Sequence, residues 1–333
     1  GVPLTEDETA KLGFAEIDFE EGDDAIEYVA PSPEFAPLGE DEVTPKGEQE
    51  LVEMLTKHLV MQTQCTNYDR LAYINAFADY RRLHPKLSEE EALARFEVDS
   101  AALVQQILGG HCGGLSGDLL RSGDYGKGAY LVGSKLPNEF QQAKAPEYCH
   151  VAAMIRFQHP ETAEDNGLII LEPGFNITKP IVVKKGVPGQ VVVGDELWVF
   201  TLNKDCTEVV CQPQPLKDGE KWKKKKSDDK RMTYRTDRFL NPDLSLTVPF
   251  LHVDNRPQVL ARDENGDVVA VIAINYGKRR VEFRIGKDRF EPVPFEKVTE
   301  DGTWLGQAAK PLANLLKMTE STLIKRIFDA VNK

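Results

Sequence analysis

The sequence lacks any run near the roughly 18 consecutive apolar residues that a membrane-spanning helix needs, and its start has no basic, apolar, small-residue pattern of a secretory signal. Both absences argue against a membrane role, and a cytoplasmic location is expected. It also lacks a CxxC pair and an HxxxH pair. Its five cysteines, Cys65, Cys112, Cys149, Cys206 and Cys211, are odd in number and irregularly spaced, which suits a reducing compartment better than a disulfide scaffold and offers no metal-ligand set. An excess of basic charge is missing too: the net charge is -13, against the basic surface that nucleic-acid binding requires.

What is present is the composition of a globular protein. The 333 residues are 41% hydrophobic and 29% charged, enough to bury a substantial core divided into sub-domains. The acidity is concentrated at one end. Residues 1–45 carry 14 Asp or Glu and one Lys, and the remaining chain balances at 40 acidic and 40 basic side chains. This acidic arm, with Pro31, Pro33, Pro37 and Pro45, reads as a solvated lead-in, although AEIDFEEGDDAIEYV has apolar residues through which part of it can dock. The run WKKKKSDDKR at 222–231 is interrupted by acids and reads as a solvated loop.

The hydrophobic period changes along the chain. From Gly47 to Leu108 it is helical: Leu51, Met54, Leu55, His58 and Leu59 form one stripe, Leu71, Ile74, Phe77 and Ala78 another. On that stripe His58 reads as a core histidine with a partner. Ser88 and Glu91 form a capping box, and DSAALVQQIL is a short helix stopped at Gly109 and Gly110. Beyond residue 128 the pattern becomes strands: AYLVGSKL, HVAAMIRF, GLIILEP, PIVVKKG, QVVVG, LWVFTLN and EVVCQ. A second β-rich block spans LSLTVPFLHV, VVAVIAINYG and RRVEFRIG, with a hairpin turn at DENGDVV, before a helix capped by Thr319 or Ser321. The expected organisation is an acidic arm (1–45), a helical domain (46–127), a β domain (128–215) and a C-terminal β-rich region with its terminal helix (216–333).

Between the helices and the strands stands GGHCGGLSGDLL, residues 109–120. A cysteine at a helix start meets unpaired N–H groups and the positive end of the helix dipole, which favour the thiolate and can stabilise an oxyanion. Such a nucleophile needs an imidazole, and the imidazole an orienting acceptor. His150 opens one strand and Glu172 ends the next; if the two pair as a hairpin, both residues meet at one end of the sheet. His111 is a rival base, expected to point away from its neighbour Cys112. Cys149 should face the core, and His159 and His252 solvent. Asp165, Asp118 and Asp124 are alternative third members.

GGHCGGLSGDLL, HVAAMIRF and GLIILEPGFNITKPIVV together resemble the arylamine N-acetyltransferase family, thiol enzymes with a papain-like or transglutaminase-like core. That family has a helical bundle, an Arg-Gly-Gly-x-Cys-aromatic-Glu motif, a strand opened by the catalytic His and a strand ending Asp-Val-Gly-Phe-Gly. Gly109, Gly110 and Cys112 match the first motif, His150 the histidine, and Glu172, Gly174 and Phe175 the last. The resemblance implies an α+β fold with an N-terminal helical bundle, an antiparallel β-barrel-like middle domain and a C-terminal β/α portion. It implies a Cys112-His150-Glu172 triad that forms an acyl-Cys112 thioester from coenzyme A or a carrier-protein phosphopantetheine and passes the acyl group to an amine or hydroxyl acceptor. Gly110, His111, Gly113, Gly114, Gly174 and Phe175 would contact substrate, with room near the sulfur at Gly113, Gly114 and Gly117. The pattern departs from the family at Leu108, where it has arginine, at Gly113 and Gly114, where it has an aromatic and a glutamate, and at Glu172, where it has aspartate. The same triad also suits a papain-like hydrolase, amidase or transamidase, and the same fold an inactive binding protein.

Overall fold

A computed structural model of the chain describes residues 36–37, 47–88, 91–92, 95–96, 104, 109–125, 128–135, 150–157, 167–175, 177–193, 196–215, 231–239, 257–263 and 268–332. In chain order these hold α1 (Glu48–Cys65), β1 (Asn67–Asp69), α2 (Leu71–Leu83), α3 (Cys112–Arg121), β2 (Ala129–Lys135), β3 (His150–Phe157), β4 (Gly167–Leu171) and β5 (Ile181–Lys184). They continue with β6 (Gly189–Val193), β7 (Glu196–Leu202), β8 (Glu208–Pro215), β9 (Met232–Arg235), β10 (Gln258–Arg262), β11 (Val268–Asn275), β12 (Arg280–Ile285), α4 (Ala309–Leu315) and α5 (Glu320–Val331). The protein is α+β. Its described residues fall into two units, one drawing on Val29–Thr66 and Asp99–Leu246, the other on Asn67–Val98 and Thr247–Lys333.

The first unit is built on an eight-stranded antiparallel sheet in the order β5-β4-β3-β2-β9-β8-β7-β6. A bridge between Lys184 and Val187 brings its two ends together, so the sheet is nearly closed, like a barrel. Alternation along β3 sorts its side chains onto two faces. Ala152 and Met154 join Tyr130, Val132, Ile170, Phe200, Val209, Cys211 and Tyr234 in one buried cluster. Val151, Ala153 and Ile155 face the other way, packing with Leu51, Leu55 and Leu59 of α1 and Leu119 and Leu120 of α3. The α1 stripe expected from its spacing is therefore the buried one, and His58 on it bonds the Tyr125 hydroxyl. Part of the acidic arm docks here: Ala36–Pro37 pairs antiparallel with Arg238–Phe239.

In the second unit β10, β11 and β12 form an antiparallel meander, and β1 pairs with β10 through Val259↔Asp69 and Leu260↔Tyr68. The expected hairpin between β10 and β11 has the pairing it needs, while the tip of its turn lies outside the described residues. On α5, Leu323, Ile327 and Ala330 are buried, and the helix begins with the Thr322 N–H donating to Thr319 Oγ1 at 3.1 Å. The Ser88–Glu91 capping box is also present, with the Ser88 N–H donating to Glu91 at 2.9 Å and the Glu91 N–H to Ser88 at 3.2 Å.

Two expectations about organisation need correction. The early helices do not make a single N-terminal bundle, because α1 belongs to the barrel unit and α2 to the C-terminal unit. Correspondingly, the boundaries at 46–127 and 216–333 do not follow the contacts. The reason is the ties from β1 and α2 to the end of the chain: buried Asp69 receives Arg326 at 2.5 Å, Asn75 donates to the Arg326 carbonyl, and Asn67 to that of Leu316. A three-residue strand gives no periodic signal, so a pattern reading absorbs it into the helical stretch. Most of DSAALVQQIL, the strand expected at LSLTVPFLHV, the Lys-rich run up to residue 230 and most of the acidic arm lie outside the described residues. Among the described residues no helix is long and apolar enough to cross a membrane.

Candidate active site

The site is assembled by one helix start and one hairpin. β3 and β4 pair antiparallel from Phe157↔Gly167 to Ala153↔Leu171, so His150 at the start of one strand and Glu172 just past the end of the other come together, as expected. His150 Nε2 donates to Glu172 Oε2 at 2.9 Å and lies 3.2 Å from Oε1. Glu172 is wholly buried and His150 nearly so, at 6% exposure. After Glu172 the chain makes a tight turn over Pro173–Phe175, closed by the Phe175 and Ile177 N–H groups donating to the Glu172 carbonyl. That turn lies against Cys112. A Cβ on Gly174 would sit 2.9 Å from Cys112 Cβ and 3.2 Å from its Cα, so only glycine permits the approach.

Cys112 is the first residue of α3 and is half-buried, and the Gly174 turn lies against both it and the His150 ring: a Cβ on Gly174 would be 2.9 Å from Cys112 Cβ and 3.4 Å from His150 Cε1. With Nε2 engaged by Glu172, Nδ1 is the His150 nitrogen left for proton transfer. Burial pushes the Cys112 thiol up, but the neighbouring His150 charge, with further contributions from His111, outweighs it and holds the thiol well below the usual range. Burial opposes the charge on His150 as well; the Glu172 carboxylate, then Cys112, more than offset this and raise it well above its ordinary value. Both directions favour a thiolate–imidazolium pair anchored on a buried carboxylate.

His111, expected to point away from its neighbour, folds its ring over the first turn of α3 as the cap. As the N-cap of α3 it has extended backbone angles, φ -82° and ψ 178°, so the helical geometry that would separate neighbouring side chains does not govern it. Its Nδ1 accepts the N–H of Gly113 at 2.9 Å and of Gly114 at 3.3 Å. Those two groups are therefore engaged by the cap rather than free for an oxyanion. Gly113, Gly114 and Gly117 are all buried, and the Ser116 hydroxyl donates to the Val151 carbonyl at 3.4 Å, which places α3 close against β3. Gly110 is buried immediately upstream, and Phe175 stacks obliquely on His150 with ring centroids 4.8 Å apart and meets Trp198 edge-on.

Tyr234 is the residue a sequence reading misses. It lies opposite Ser134 on β2, and Ser134 lies opposite His150, so the three form one row across neighbouring strands. Tyr234 is wholly buried and its hydroxyl donates to Met232 Sδ at 3.9 Å; burial and then the Glu172 charge raise its proton affinity well above that of an ordinary tyrosine. The one available signal was a tyrosine at an inward position of a strand, which needs a polar partner when buried. Of the alternative acids, Asp118 accepts from Gln62 at 2.8 Å, away from the His150–Glu172 pair, and Asp165 lies outside the described residues, as do Cys149, His159 and His252. No protein-family model matches this sequence, and no curated protein matches it either.

Proposed function

We propose that this chain is a thiol acyltransferase whose core is of the papain-like, arylamine N-acetyltransferase-like kind, with Cys112 as nucleophile, His150 as acid and base, and Glu172 as orienting carboxylate. One observation carries the reading: a half-exposed thiol at a helix start, beside an imidazole whose far nitrogen is fixed by a wholly buried carboxylate. The Cys112 thiolate adds to the carbonyl carbon of an acyl thioester, on coenzyme A or a carrier-protein phosphopantetheine. The carbon–sulfur bond of the donor then breaks, and the Nδ1 proton of His150 passes to the departing thiolate. This leaves acyl-Cys112 beside a neutral imidazole. The incoming amine or hydroxyl attacks that thioester while His150 Nδ1 takes its proton, and Cys112 departs as thiolate, restoring the ion pair. Throughout, the Nε2–H bond to Glu172 holds the ring in the orientation and tautomer the transfers need. Of the backbone donors at the helix start, the cap leaves the Cys112 N–H to face the tetrahedral oxyanion.

Intact-mass spectrometry after mixing the protein with acetyl-CoA and longer acyl-CoA thioesters tests the reading. The expected result is one acyl adduct, absent in Cys112→Ala and discharged by an added amine. No adduct with any thioester donor would overturn it.

A further inference from the structure

The apolar wall beside the catalytic histidine ends in a carboxylate. From His150 the Phe175 ring follows at 4.8 Å between centroids, and Trp198 meets Phe175 edge-on at 5.2 Å. Trp198 and Glu196 stand two residues apart on β7 and so share one face of the strand, and the Trp198 indole N–H donates to Glu196 Oε2 at 3.2 Å. On the neighbouring strand β6, Val191 lies opposite Trp198 and Val193 opposite Glu196. Trp198 is buried, whereas Phe175, Val191, Val193 and Glu196 are half-buried and keep part of their surface open. The wall leading away from His150 is thus apolar along its length and negative at its far end. A plain acyl chain gains nothing from that carboxylate and an anionic molecule is repelled by it. An apolar stem with a positive charge at its tip meets both features.

We propose that Glu196 determines the acceptor of this site, a straight-chain diamine, by pairing with its far ammonium group while the stem lies along Phe175, Val191 and Val193. The two carboxylates then have different tasks. Glu172 is wholly buried and engaged by His150, whereas Glu196 is half-exposed and anchored through the Trp198 indole. In the transfer the near amine, in its neutral form, attacks the carbonyl carbon of acyl-Cys112. A carbon–nitrogen bond forms, the amine proton passes to His150 Nδ1, and the carbon–sulfur bond breaks to return the Cys112 thiolate. The far ammonium keeps its proton throughout, so the product carries a single acyl group. This transfer rests on the function proposed above; the binding of the diamine does not.

Isothermal titration calorimetry of the unacylated protein tests the proposal with straight-chain diamines, from propane- to octanediamine, each beside the neutral diol of the same chain length. At least one diamine is expected to bind the parent roughly 10-fold or more tightly than its matched diol, the size of a charge-assisted contact, and Glu196→Gln should bring it down to the affinity of the diol. The amide oxygen of Glu196→Gln can still accept the Trp198 indole N–H, so this variant is expected to melt with the parent. A parent that does not prefer the diamine, or a preference that survives in Glu196→Gln, overturns the proposal. Because calorimetry needs no acyl donor, it decides this point whether or not the parent protein forms an acyl adduct. Where the adduct forms, its discharge by the diamine should show a roughly 10-fold higher KM in Glu196→Gln with kcat unchanged, and an alkyl monoamine of the same length should compete with the diamine by occupying Glu196 without reaching the thioester.

Discussion

Two cysteines of the barrel unit respond to the same carboxylate in opposite ways. Cys112, half-buried at the start of α3, has its thiol held well below the usual range, while Cys211, wholly buried on β8, has its thiol pushed well above it. Burial raises both. The difference lies in how the charge of Glu172 arrives: Cys211 feels it directly, together with that of Glu196, and is kept protonated, whereas Cys112 feels it through His150, which converts a buried negative charge into an adjacent positive one. A carboxylate beside a thiol suppresses it, and the same carboxylate one imidazole away activates it.

Removing the imidazole should therefore make Cys112 behave like Cys211. In the parent protein the Cys112 thiolate persists as pH falls through the ordinary thiol range near 8.5; in His150→Ala the burial penalty is left unopposed by that charge and the midpoint moves up. At pH 6.5 an ordinary thiol is only about 1% ionised, so iodoacetamide alkylation of Cys112 should slow by roughly 100-fold, and acyl transfer should fall on the order of 10⁶-fold, the scale of losing the base of a triad. Alkylation of His150→Ala with an unshifted midpoint would show that the helix start alone ionises Cys112. Next in size, Glu172→Gln removes the charge and leaves an amide that can donate to His150 Nε2, turning the Nδ1 lone pair into an N–H. Turnover should fall by roughly 10⁴-fold, as a wrong tautomer does, and the contrast between the two thiols should narrow from both sides. Parallel alkylation of Cys112 and unfolding-free exchange at Cys211, both read by peptide mass mapping, would register that narrowing; an unchanged Cys112 midpoint would sink the relay.

Much of this site was legible in the sequence because it depends on short-range regularities. The strand periods of HVAAMIRF and GLIILEP, joined by a short polar connection, specify an antiparallel hairpin, and a hairpin with His150 at one end and Glu172 at the other can only bring them together. Gly174, which the resemblance placed in the site, is where the turn after Glu172 approaches the Cys112 backbone. What escaped depended on distant pairing or on one side chain's rotamer. Tyr234 joins the row of Ser134 and His150 because β9 pairs with β2, a register set across nearly a hundred intervening residues. Likewise, β1 and α2 join the C-terminal unit through Asp69 and Arg326, which are far apart in sequence. His111 was assigned helical geometry although a cap is extended, and that single difference turns its ring over the Gly113 and Gly114 N–H groups.

A smaller perturbation tests whether the contrast needs close packing of the two halves of the site. Gly174→Val puts carbon atoms where Cys112 Cβ stands 2.9 Å away, so the Pro173–Phe175 turn must back off from α3. Overpacking of this kind costs about 1–3 kcal/mol, read as a lower melting temperature. A displacement near 1 Å at the reacting atoms should reduce turnover by roughly 100-fold. Cys112 alkylation, which needs charge more than alignment, should fall far less. Equal losses in both assays would mean that the turn sets the thiol's ionisation as well as its aim.

The gentlest cut is Tyr234→Phe, which removes one oxygen and keeps the ring in the barrel interior. The Tyr234 hydroxyl sits in the field of the Glu172 carboxylate and donates to Met232 Sδ, so its loss removes a polar neighbour and leaves the carboxylate paired with the imidazole. Losing an ordinary buried hydrogen bond costs about 0.5–1.5 kcal/mol, expected as lower stability because the His150–Glu172 bond survives. Turnover should drop only about 3- to 10-fold through looser orientation of the carboxylate, and Cys112 alkylation at pH 6.5 should remain within about twofold of the parent, since the charge next to the thiol is unchanged. If alkylation instead falls as far as in Glu172→Gln, then Tyr234 governs the charge of the relay and not its orientation, and the contrast between Cys112 and Cys211 is set one residue deeper in the barrel than His150 and Glu172.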